Sequence, residues 1–420
     1  MLSLIDKAWV TPITLLPVPL GRQVVRGDAL SQRAPAVSRQ LIIDVSVIAR
    51  EDARTGIQRV VRALLVQLLE RPPEGWAIRL VRATKYRGYR IAPTLSALPA
   101  ACPGPSAPLR IGRGDVFLGL DLSAHLVPRH FGQLARWKKQ GVAMHFMVYD
   151  LLPILSPQWF NPRTQRHFAR WLRAVALLAD GAVCISESVR QELAKHLAER
   201  YHLPAHSIGL NHIHLGGDLH ASAPSQGVPA SFDTWLNDLV RRPTVLMVGT
   251  LEPRKGHEQA LSAFDLLWAQ GQDVNLVIAG KPGWQVEALL ARIHQHPELG
   301  KRLHWLDQPS DEVLESLYRH ASGALMASQA EGFGLPLVEA ASHGKPVLAR
   351  DIPVFREVGA HGACYFQGNE PEALAGALTR WLARLQAPDS IPSAAIPWQT
   401  WSDSARQLLA CLPLGTPQNP

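Results

Sequence analysis

Two carboxylates flank a glycine-rich loop in the second half of the chain, and their spacing suits a ligand rich in hydroxyl and phosphate groups. Glu331 follows the apolar run 323–328, and Glu339 comes eight residues later, in a segment of helical character. The glycines between them break the strand and leave backbone N–H groups that, with the N-terminus of the next helix, favour an anion. We therefore predict a diphosphate held between two sets of sugar hydroxyls. The loop residues predicted to contact it are Gly332, Phe333, Gly334 and Leu335.

A second charged group lies upstream, in the segment Glu252-Pro253-Arg254-Lys255-Gly256. Proline sets a tight turn there, arginine can bind two phosphate oxygens at once, and lysine supplies a compact point charge. Adjacent surface cations often serve solubility alone. Here they follow the strand-like run 244–249, and their place at its carboxyl end favours phosphate binding. Gly249 and Thr250, where that run ends, lie beside these cations and are candidate contacts to the same ligand.

The elements that must position these residues are parallel strands alternating with helices. In the second half, the strand-like runs are 244–249, 275–280, 303–306, 323–328 and 346–350. Short connections with helical patterns between them indicate a parallel sheet covered on both faces. The first half begins with the β-branched run 40–48, which is typical of a buried strand, followed by leucine and valine at helical spacing. The fold class predicted is α/β.

The predicted boundaries divide the chain into five segments. Residues 1–38, rich in proline and without a clear period, are predicted to be a poorly structured N-terminal extension. An N-terminal Rossmann-like domain covers 39–218 and a C-terminal one covers 243–395. Residues 219–242 serve as the linker between them. Residues 396–420 form a C-terminal helix and tail that return toward the first domain.

The motifs resemble those of retaining glycosyltransferases of family 4, the glycosyl transferases group 1. The resemblance is carried by Glu331 and Glu339 with Gly-Phe-Gly-Leu-Pro between them, by the Arg254-Lys255-Gly256 turn, and by Asp351-Ile352-Pro353-Val354-Phe355-Arg356-Glu357-Val358-Gly359. It implies the GT-B fold, in which two facing Rossmann-like, doubly wound domains have a cleft between them. It covers roughly residues 40–410.

The resemblance also implies a role for each carboxylate and cation. Glu331 would be a catalytic residue that binds and orients the donor sugar, and Glu339 would hold the ribose hydroxyls. Arg254 and Lys255 would bind the diphosphate and stabilise the negative charge that develops on it. The resemblance further implies retention of anomeric configuration, no metal and no cofactor. The sequence contains no Asp-x-Asp motif.

The first half supplies the residues expected to face the acceptor. Thr55, Gly56 and Arg59 lie in the loop and helix start after the first strand, where relatives carry cleft residues. Tyr149 and Asp150 end another strand, at the edge where open α/β sheets bind ligands. Asp150 is a candidate catalytic contact to the acceptor, and a cap for the turn that follows is an equally open interpretation.

The function predicted is transfer of a hexose, with mannose or a deoxyhexose favoured, from a nucleotide diphosphate sugar to a glycan or lipid-linked glycan in surface polysaccharide synthesis. A GDP-linked donor is favoured. The alternatives are a non-catalytic GT-B protein that binds a sugar nucleotide or glycan, and a GT-B phosphorylase or epimerase. A phosphorylase would release sugar phosphate from glycan and inorganic phosphate, which a transferase would not do.

The composition narrows the classes of ligand that the protein could bind and the cellular compartment expected for it. The net charge of +8 suits phosphorylated ligands or anionic lipid, and no nucleic-acid module is recognised. Scattered cysteines and the lack of an apolar stretch of spanning length predict a cytoplasmic protein. The run 161–178 is predicted to be a helix, and its basic face is either an ordinary solvated face or a peripheral contact with the inner face of the membrane. Its arginines are Arg163, Arg166, Arg170 and Arg173.

Overall fold

Two α/β units make up the structure, a computed structural model that describes residues 13–26, 39–51, 55–92, 109–385 and 396–415. The first unit is Met1–His214 with Ser402–Pro420, and the second is Leu215–Trp401. Each contains one sheet with helices packed against it.

The first unit is built on a seven-stranded sheet. Its strands are β1 (Arg39–Asp44), β2 (Trp76–Arg82), β3 (Arg90–Ile91), β4 (Val116–Gly119), β5 (Ala143–Val148), β6 (Gly181–Cys184) and β7 (Gly209–His212). Their order is β3-β2-β1-β4-β5-β6-β7. Only β3 is antiparallel to its neighbour. The chain fills one side of β1 first and then returns to the other side, so the strand order reverses between β1 and β4.

Helices cover this sheet and connect its strands. They are α1 (Val18–Arg26), α2 (Gly56–Glu70), α3 (Phe131–Lys139), α4 (Leu152–Leu155), α5 (Pro162–Leu178) and α6 (Glu187–Tyr201). Thr55 begins α2 with a reciprocal capping box with Gln58, which satisfies N–H groups that a helix start leaves unpaired. Asn161 caps α5 in a similar way by accepting a hydrogen bond from Thr164 N.

A six-stranded, fully parallel sheet forms the second unit. Its strands are β8 (Thr244–Val248), β9 (Asn275–Ala279), β10 (Leu303–Leu306), β11 (Gly323–Met326), β12 (Val347–Arg350) and β13 (Cys364–Phe366). Their order is β10-β9-β8-β11-β12-β13, with the reversal between β8 and β11. The central strands are buried along their length, as expected for a parallel sheet covered on both faces.

The second unit's helices connect these strands in turn. They are α7 (Phe232–Leu239), α8 (His257–Ala269), α9 (Glu287–His294), α10 (Asp311–His320), α11 (Leu335–Ser342), α12 (Pro353–Gly359) and α13 (Pro371–Leu385). A last helix, α14 (Trp401–Ala410), belongs from Ser402 onward to the first unit. The predicted α/β class with parallel sheets is confirmed.

The predicted linker 219–242 is wrong as a connection between domains. These residues belong to the second unit, which begins at Leu215. Within the unit, Trp235 Nε1 donates to His304 Nδ1 at 3.2 Å, and Asn275 Nδ2 donates to Leu239 O at 2.8 Å. The small and polar composition of 219–242 suggested a connection, but Phe232, Leu236 and Leu239 are buried.

The N-terminal extension is also wrong as an unstructured segment where the structure describes it. Residues 13–26 include α1, which packs against α5. Val18 and Val25 are buried. The buried Arg22 side chain donates to Ala179 O at 2.9 Å and to Ser207 O at 2.8 Å. The rest of the predicted extension, 1–12 and 27–38, lies outside the described residues.

Within the described part of the chain, no helix is both long and apolar enough to cross a membrane.

Candidate active site

The predicted donor-binding residues lie at the topological switch point of the second sheet. The loops after β8 and β11 leave the carboxyl ends of adjacent strands at the point where strand order reverses. In open parallel sheets this is where ligands bind, because the connecting chains diverge there and leave a crevice. The β8 loop carries Arg254 and Lys255, and the β11 loop carries Glu331.

A glycine brings the two loops into contact. Residues Pro253–Lys255 form one turn of 3-10 helix, and Gly256 ends it in the left-handed region with φ of 76°. A Cβ at this glycine would lie 2.4 Å from Ala327 O. Gln329 N donates to Arg254 O at 2.7 Å. The turn is therefore fixed against the β11 loop, and both cations are directed toward it.

Glu331 binds both cations in this structure. Lys255 Nζ lies 2.5 Å from Glu331 Oε1, and Arg254 Nη1 lies 2.8 Å from Glu331 Oε2. Arg254 Nη1 also donates to Ala330 O at 2.9 Å. Arg254 Nε lies 2.9 Å from Glu252 Oε2 as an ion pair without hydrogen-bond geometry. The sequence predicted separate roles for the cations and for Glu331, and the structure joins them in one buried cluster.

The charges around Glu331 keep it ionised. Burial by itself would raise its pKa, but the charges of Arg254 and Lys255 and their hydrogen bonds lower the pKa to about 2. An ionised carboxylate accepts hydrogen bonds only. Glu331 can therefore accept hydrogen bonds from the hydroxyl groups of a ligand.

Glu339 lies on α11 and is almost fully buried. Tyr318, on α10, donates its hydroxyl to Glu339 Oε2 at 2.8 Å. Tyr318 in turn stacks on His343, with ring centroids 5.3 Å apart. Tyr318 orients this carboxylate, and sequence reasoning missed it because nothing in the helix pattern marks one buried tyrosine as different from its neighbours.

The glycine-rich loop between the two carboxylates ends in a helix start. Gly334 has φ of 99° and is the N-cap of α11, with Pro336 in the first turn. A Cβ on Gly334 would lie 2.6 Å from Phe355 Cε1. Phe333 is buried at 3% exposure.

Gly249, directly after β8, also has a backbone conformation that favours glycine, with φ of 141°.

A pocket at this edge includes a histidine that the sequence did not single out. Lys255, His257, Glu331, Gly334 and Pro336 line it, together with apolar residues of β8 and β11. His257 is 2% exposed, and neither ring nitrogen has a hydrogen-bond partner among the described residues. Burial and the Lys255 charge lower the pKa of His257 to about 3, so its ring is neutral at physiological pH. Its position directly after the Lys-Gly turn was the only signal available in the sequence.

In the first unit, the predicted acceptor residues fall into two groups. Thr55, Gly56 and Arg59 lie at the start of α2, where Thr55 serves as the cap and Gly56 is exposed. Tyr149 is 2% exposed and donates its hydroxyl to Leu120 O at 2.6 Å, so its side chain is engaged within the fold and its contact with an acceptor stays a prediction. Asp150 Oδ1 accepts from Leu152 N at 3.0 Å, which is the capping interaction that the sequence left open.

Two buried aspartates at the first sheet's switch point were also missed. Asp44 ends β1 and accepts from Tyr89 OH at 3.0 Å and Ser46 N at 2.9 Å. Asp121 follows β4 and accepts from Val47 N at 2.7 Å and Ile48 N at 2.8 Å. They fix the loop that follows β1.

Neither unit, taken by itself, has three described histidine, cysteine or carboxylate side chains close enough to share a metal ion. Metal independence remains a prediction.

The chain is similar to known glycosyltransferases. Residues 236–395 match the family model of glycosyl transferases group 1. The serotype-specific mannosyltransferase WbdA of Escherichia coli is 41% identical over 384 residues, covering 90% of this chain and 47% of WbdA. O-antigen chain mannosyltransferase B of Escherichia coli is 26% identical over 230 residues, covering 54% of this chain and 58% of that protein. The chain thus spans about half the length of the curated relatives that it matches over most of its residues.

Solved structures share the fold. The catalytic domain of starch synthase IV from Arabidopsis thaliana, bound to ADP and acarbose, gives a TM-score of 0.61 at 15% identity, covering 90% of this chain and 99% of that one. HepE of Anabaena in complex with UDP-glucose gives a TM-score of 0.56 at 16% identity, covering 88% of this chain and 94% of that one. The chain therefore has the GT-B fold and carries a glycosyl transferases group 1 domain.

Proposed function

We propose that this protein is a retaining glycosyltransferase that moves mannose from GDP-mannose to a glycan acceptor in surface polysaccharide synthesis. The observation that carries the proposal is the buried cluster of Glu331, Arg254 and Lys255 at the second sheet's switch point. The similarity to WbdA, a mannosyltransferase, supports the choice of sugar. The GDP-linked donor is the one that the sequence motifs favour.

The cluster provides charge where the reaction needs it. Breaking the bond between the sugar's C1 and the phosphate oxygen leaves positive charge on the sugar and negative charge on the departing nucleotide diphosphate. Arg254 and Lys255 would stabilise that negative charge in a site that is largely shielded from water, where fixed charges act strongly. Glu331, released from them in part, would accept hydrogen bonds from the donor sugar's hydroxyls.

Retention requires the acceptor to attack from the side that the diphosphate leaves. In this scheme the acceptor hydroxyl forms the new bond to C1, and its proton passes to the departing phosphate oxygen. The balance needs no metal and no cofactor. Glu339, oriented by Tyr318, would hold the ribose hydroxyls.

A donor screen tests the proposal. The purified chain is incubated with mannan oligosaccharide and with GDP-mannose, UDP-glucose or dTDP-rhamnose, and released nucleotide and extended glycan are measured. We expect extension with GDP-mannose, α-linked product by NMR, and activity that persists in EDTA. Product with inverted configuration, or full loss in EDTA that added metal reverses, would contradict the mechanism.

The same screen, with one further incubation of the protein with mannan and inorganic phosphate, tests the binding-protein and phosphorylase alternatives. Nucleotide binding without extension of any acceptor would favour a non-catalytic binding protein. Release of mannose 1-phosphate from mannan and inorganic phosphate would favour a phosphorylase.

A further inference from the structure

The first unit has a cationic cluster at its own topological switch point. Arg50 comes from the turn after β1, and His125 and Arg129 come from the loop after β4. Arg163 and His167 lie in the first turns of α5, which follows β5. Because β1, β4 and β5 are adjacent and parallel, their following loops meet at one edge of the sheet. This is the edge at which open parallel sheets bind ligands.

The backbone that carries these cations is held in place. Asp121 accepts hydrogen bonds from Val47 N and Ile48 N and so fixes the turn before Arg50. Ser123 O accepts from Leu126 N at 2.9 Å in the loop that holds His125. Asn161 caps the start of α5. The cluster is thus built on three anchored segments.

Every charged side chain in the cluster is basic, and the two aspartates at the same switch point, Asp44 and Asp121, are buried and hydrogen-bonded to the backbone. The rings of His125 and His167 lie 6.3 Å apart. Burial lowers the pKa of His125, and so do the positive charges of His167, Arg50, Arg163 and Arg129. Among the described residues, none of these three arginines forms an ion pair or a side-chain hydrogen bond, and all three are exposed. The N-terminus of α5 adds further positive potential.

We propose that this cluster is a binding site for a phosphate or diphosphate group carried by the acceptor. Only the identification of the ligand as the acceptor rests on the proposed function. A single carboxylate would balance only one of the three guanidinium groups, whereas a diphosphate offers several oxygens and more than one charge. Guanidinium groups match phosphate oxygens in pairs, and imidazoles that become protonated would add further donors. The acceptor would then be held by its anionic end on the first unit.

A binding experiment with inorganic pyrophosphate tests this inference at constant ionic strength. The protein carries Lys255→Ala, so that the second unit's cations bind pyrophosphate less well, and the rings of His125 and His167 are followed by NMR. We expect pyrophosphate to raise the pKa of His125 by about 1, since an opposite charge nearby favours the protonated ring. The double variant Arg129→Gln with Arg163→Gln is expected to weaken this binding at least about 10-fold.

A matched pair serves as the control. Arg200→Gln with Arg380→Gln removes the same charge from two exposed positions outside the cluster and should leave pyrophosphate binding unchanged. Equal weakening in both pairs, or no change in either histidine, would overturn the inference. Sedimentation with phosphatidylglycerol vesicles that only the Arg129 and Arg163 pair abolishes, without a response to pyrophosphate, would assign these cations to a lipid surface and overturn it too.

The experiment contains no sugar nucleotide, so its failure differs from failure of the proposed function. Mannose transfer by the parent protein, with no histidine response in the Lys255→Ala protein, would refute the phosphate site alone. A protein with the response and no transfer would refute the proposed function alone.

Discussion

The buried carboxylate of Glu331 is balanced by two cations, Arg254 and Lys255. Its side chain is 10% exposed, and those of Arg254 and Lys255 are 13% and 15% exposed. Removing one partner from a buried ion pair leaves an uncompensated charge, which is far more costly than losing a surface pair. Substitutions here are therefore expected to affect both the proposed transfer reaction and stability, and the two effects must be measured separately.

Lys255→Ala should lower transfer from the donor by roughly 100-fold, because it removes one charge aimed at the leaving diphosphate. It should also lower the melting temperature, since Arg254 alone would then balance Glu331. Both are measured on one preparation, by steady-state kinetics and by thermal unfolding. Lys301→Ala, at an exposed lysine of the same unit, is the control. Parent-like turnover in the Lys255 variant would remove the phosphate role from this residue.

Substitutions of Glu331 and Glu339 are expected to impair different steps, transfer in one case and nucleotide binding in the other. Glu331→Gln should leave binding of free GDP largely intact and reduce transfer steeply, because an amide accepts a sugar hydroxyl more weakly than a carboxylate does. Glu339→Ala should instead weaken binding of GDP itself. Calorimetric titration of both variants with GDP separates the roles, and equal losses of affinity would refute the division. Tyr318→Phe, which removes the hydroxyl on Glu339 Oε2, should resemble a mild Glu339→Ala.

At the scale of elements, the turn between β8 and α8 depends on the absence of a side chain. Gly256→Ala would put a Cβ 2.4 Å from Ala327 O in addition to a positive φ of 76°. Gly271 has a similar φ of 78° but no atom within 4 Å of a Cβ, so Gly271→Ala isolates the cost of backbone conformation. We expect the Gly256 variant to lose about 1–3 kcal/mol beyond the Gly271 variant, because its added methyl group is forced into a packed contact, together with most of its transfer activity. Denaturant unfolding measures the difference, and equal losses in the two variants would show that the contact with Ala327 is unimportant.

Elements with a strong local sequence pattern could be predicted from the sequence, and elements that depend on tertiary packing could not. The apolar runs before Gly249 and Glu331 predicted β8 and β11 because buried parallel strands need continuous apolar residues. Residues 13–26 and 219–242 gave weak local signals, and their structure depends on contacts such as Arg22 with Ala179 O and Trp235 with His304. Tyr149 lies at the predicted strand end, but only the fold shows that it faces Leu120 rather than solvent.

The candidate site likewise has features that the local sequence predicts and features that depend on tertiary packing. Charged residues at strand ends could be assigned from the motif, because their types and spacing carry the chemistry. The direct pairing of Lys255 and Arg254 with Glu331, the Tyr318 hydrogen bond to Glu339 and the buried His257 depend on side chains from separate elements. Residues that are distant in sequence leave no periodic signal of their contact.

At the scale of a whole unit, the buried aspartates of the first sheet make its stability depend on pH. Burial raises the pKa of Asp44 from 3.8 to about 6, and burial with the Asp44 charge raises that of Asp121 from 3.8 to about 7. A raised folded-state pKa means that the folded state binds more protons than the unfolded state between these values. The resulting stability is therefore present below pH 3.8 and is lost as pH rises through about 7.

Asp121→Asn should remove part of that decline, with a difference of about 1 kcal/mol or more between pH 5 and pH 8. Hydrogen exchange of the β1 and β4 amides, corrected for the intrinsic rate at each pH, measures it within the first unit. Asp307→Asn, at an exposed aspartate of the second unit, should leave these amides unchanged. A parent-like pH dependence in the Asp121 variant would mean that this carboxyl is not the group that titrates.

The last prediction concerns the basic face of α5 and attachment to an anionic membrane. Arg173 does not belong to a solvated face, because its guanidinium donates to Thr14 O at 3.0 Å and to Leu16 O, and so holds the segment before α1. Arg166 and Arg170 are exposed, and each cation near an anionic surface contributes about 1 kcal/mol. Arg166→Gln with Arg170→Gln should therefore reduce sedimentation with phosphatidylglycerol vesicles at low salt by roughly 10-fold or more. Arg173→Gln should loosen the segment before α1, seen as faster hydrogen exchange there, and leave sedimentation nearly unchanged. Equal sedimentation of the double variant and the parent protein would make this helix an ordinary solvated face.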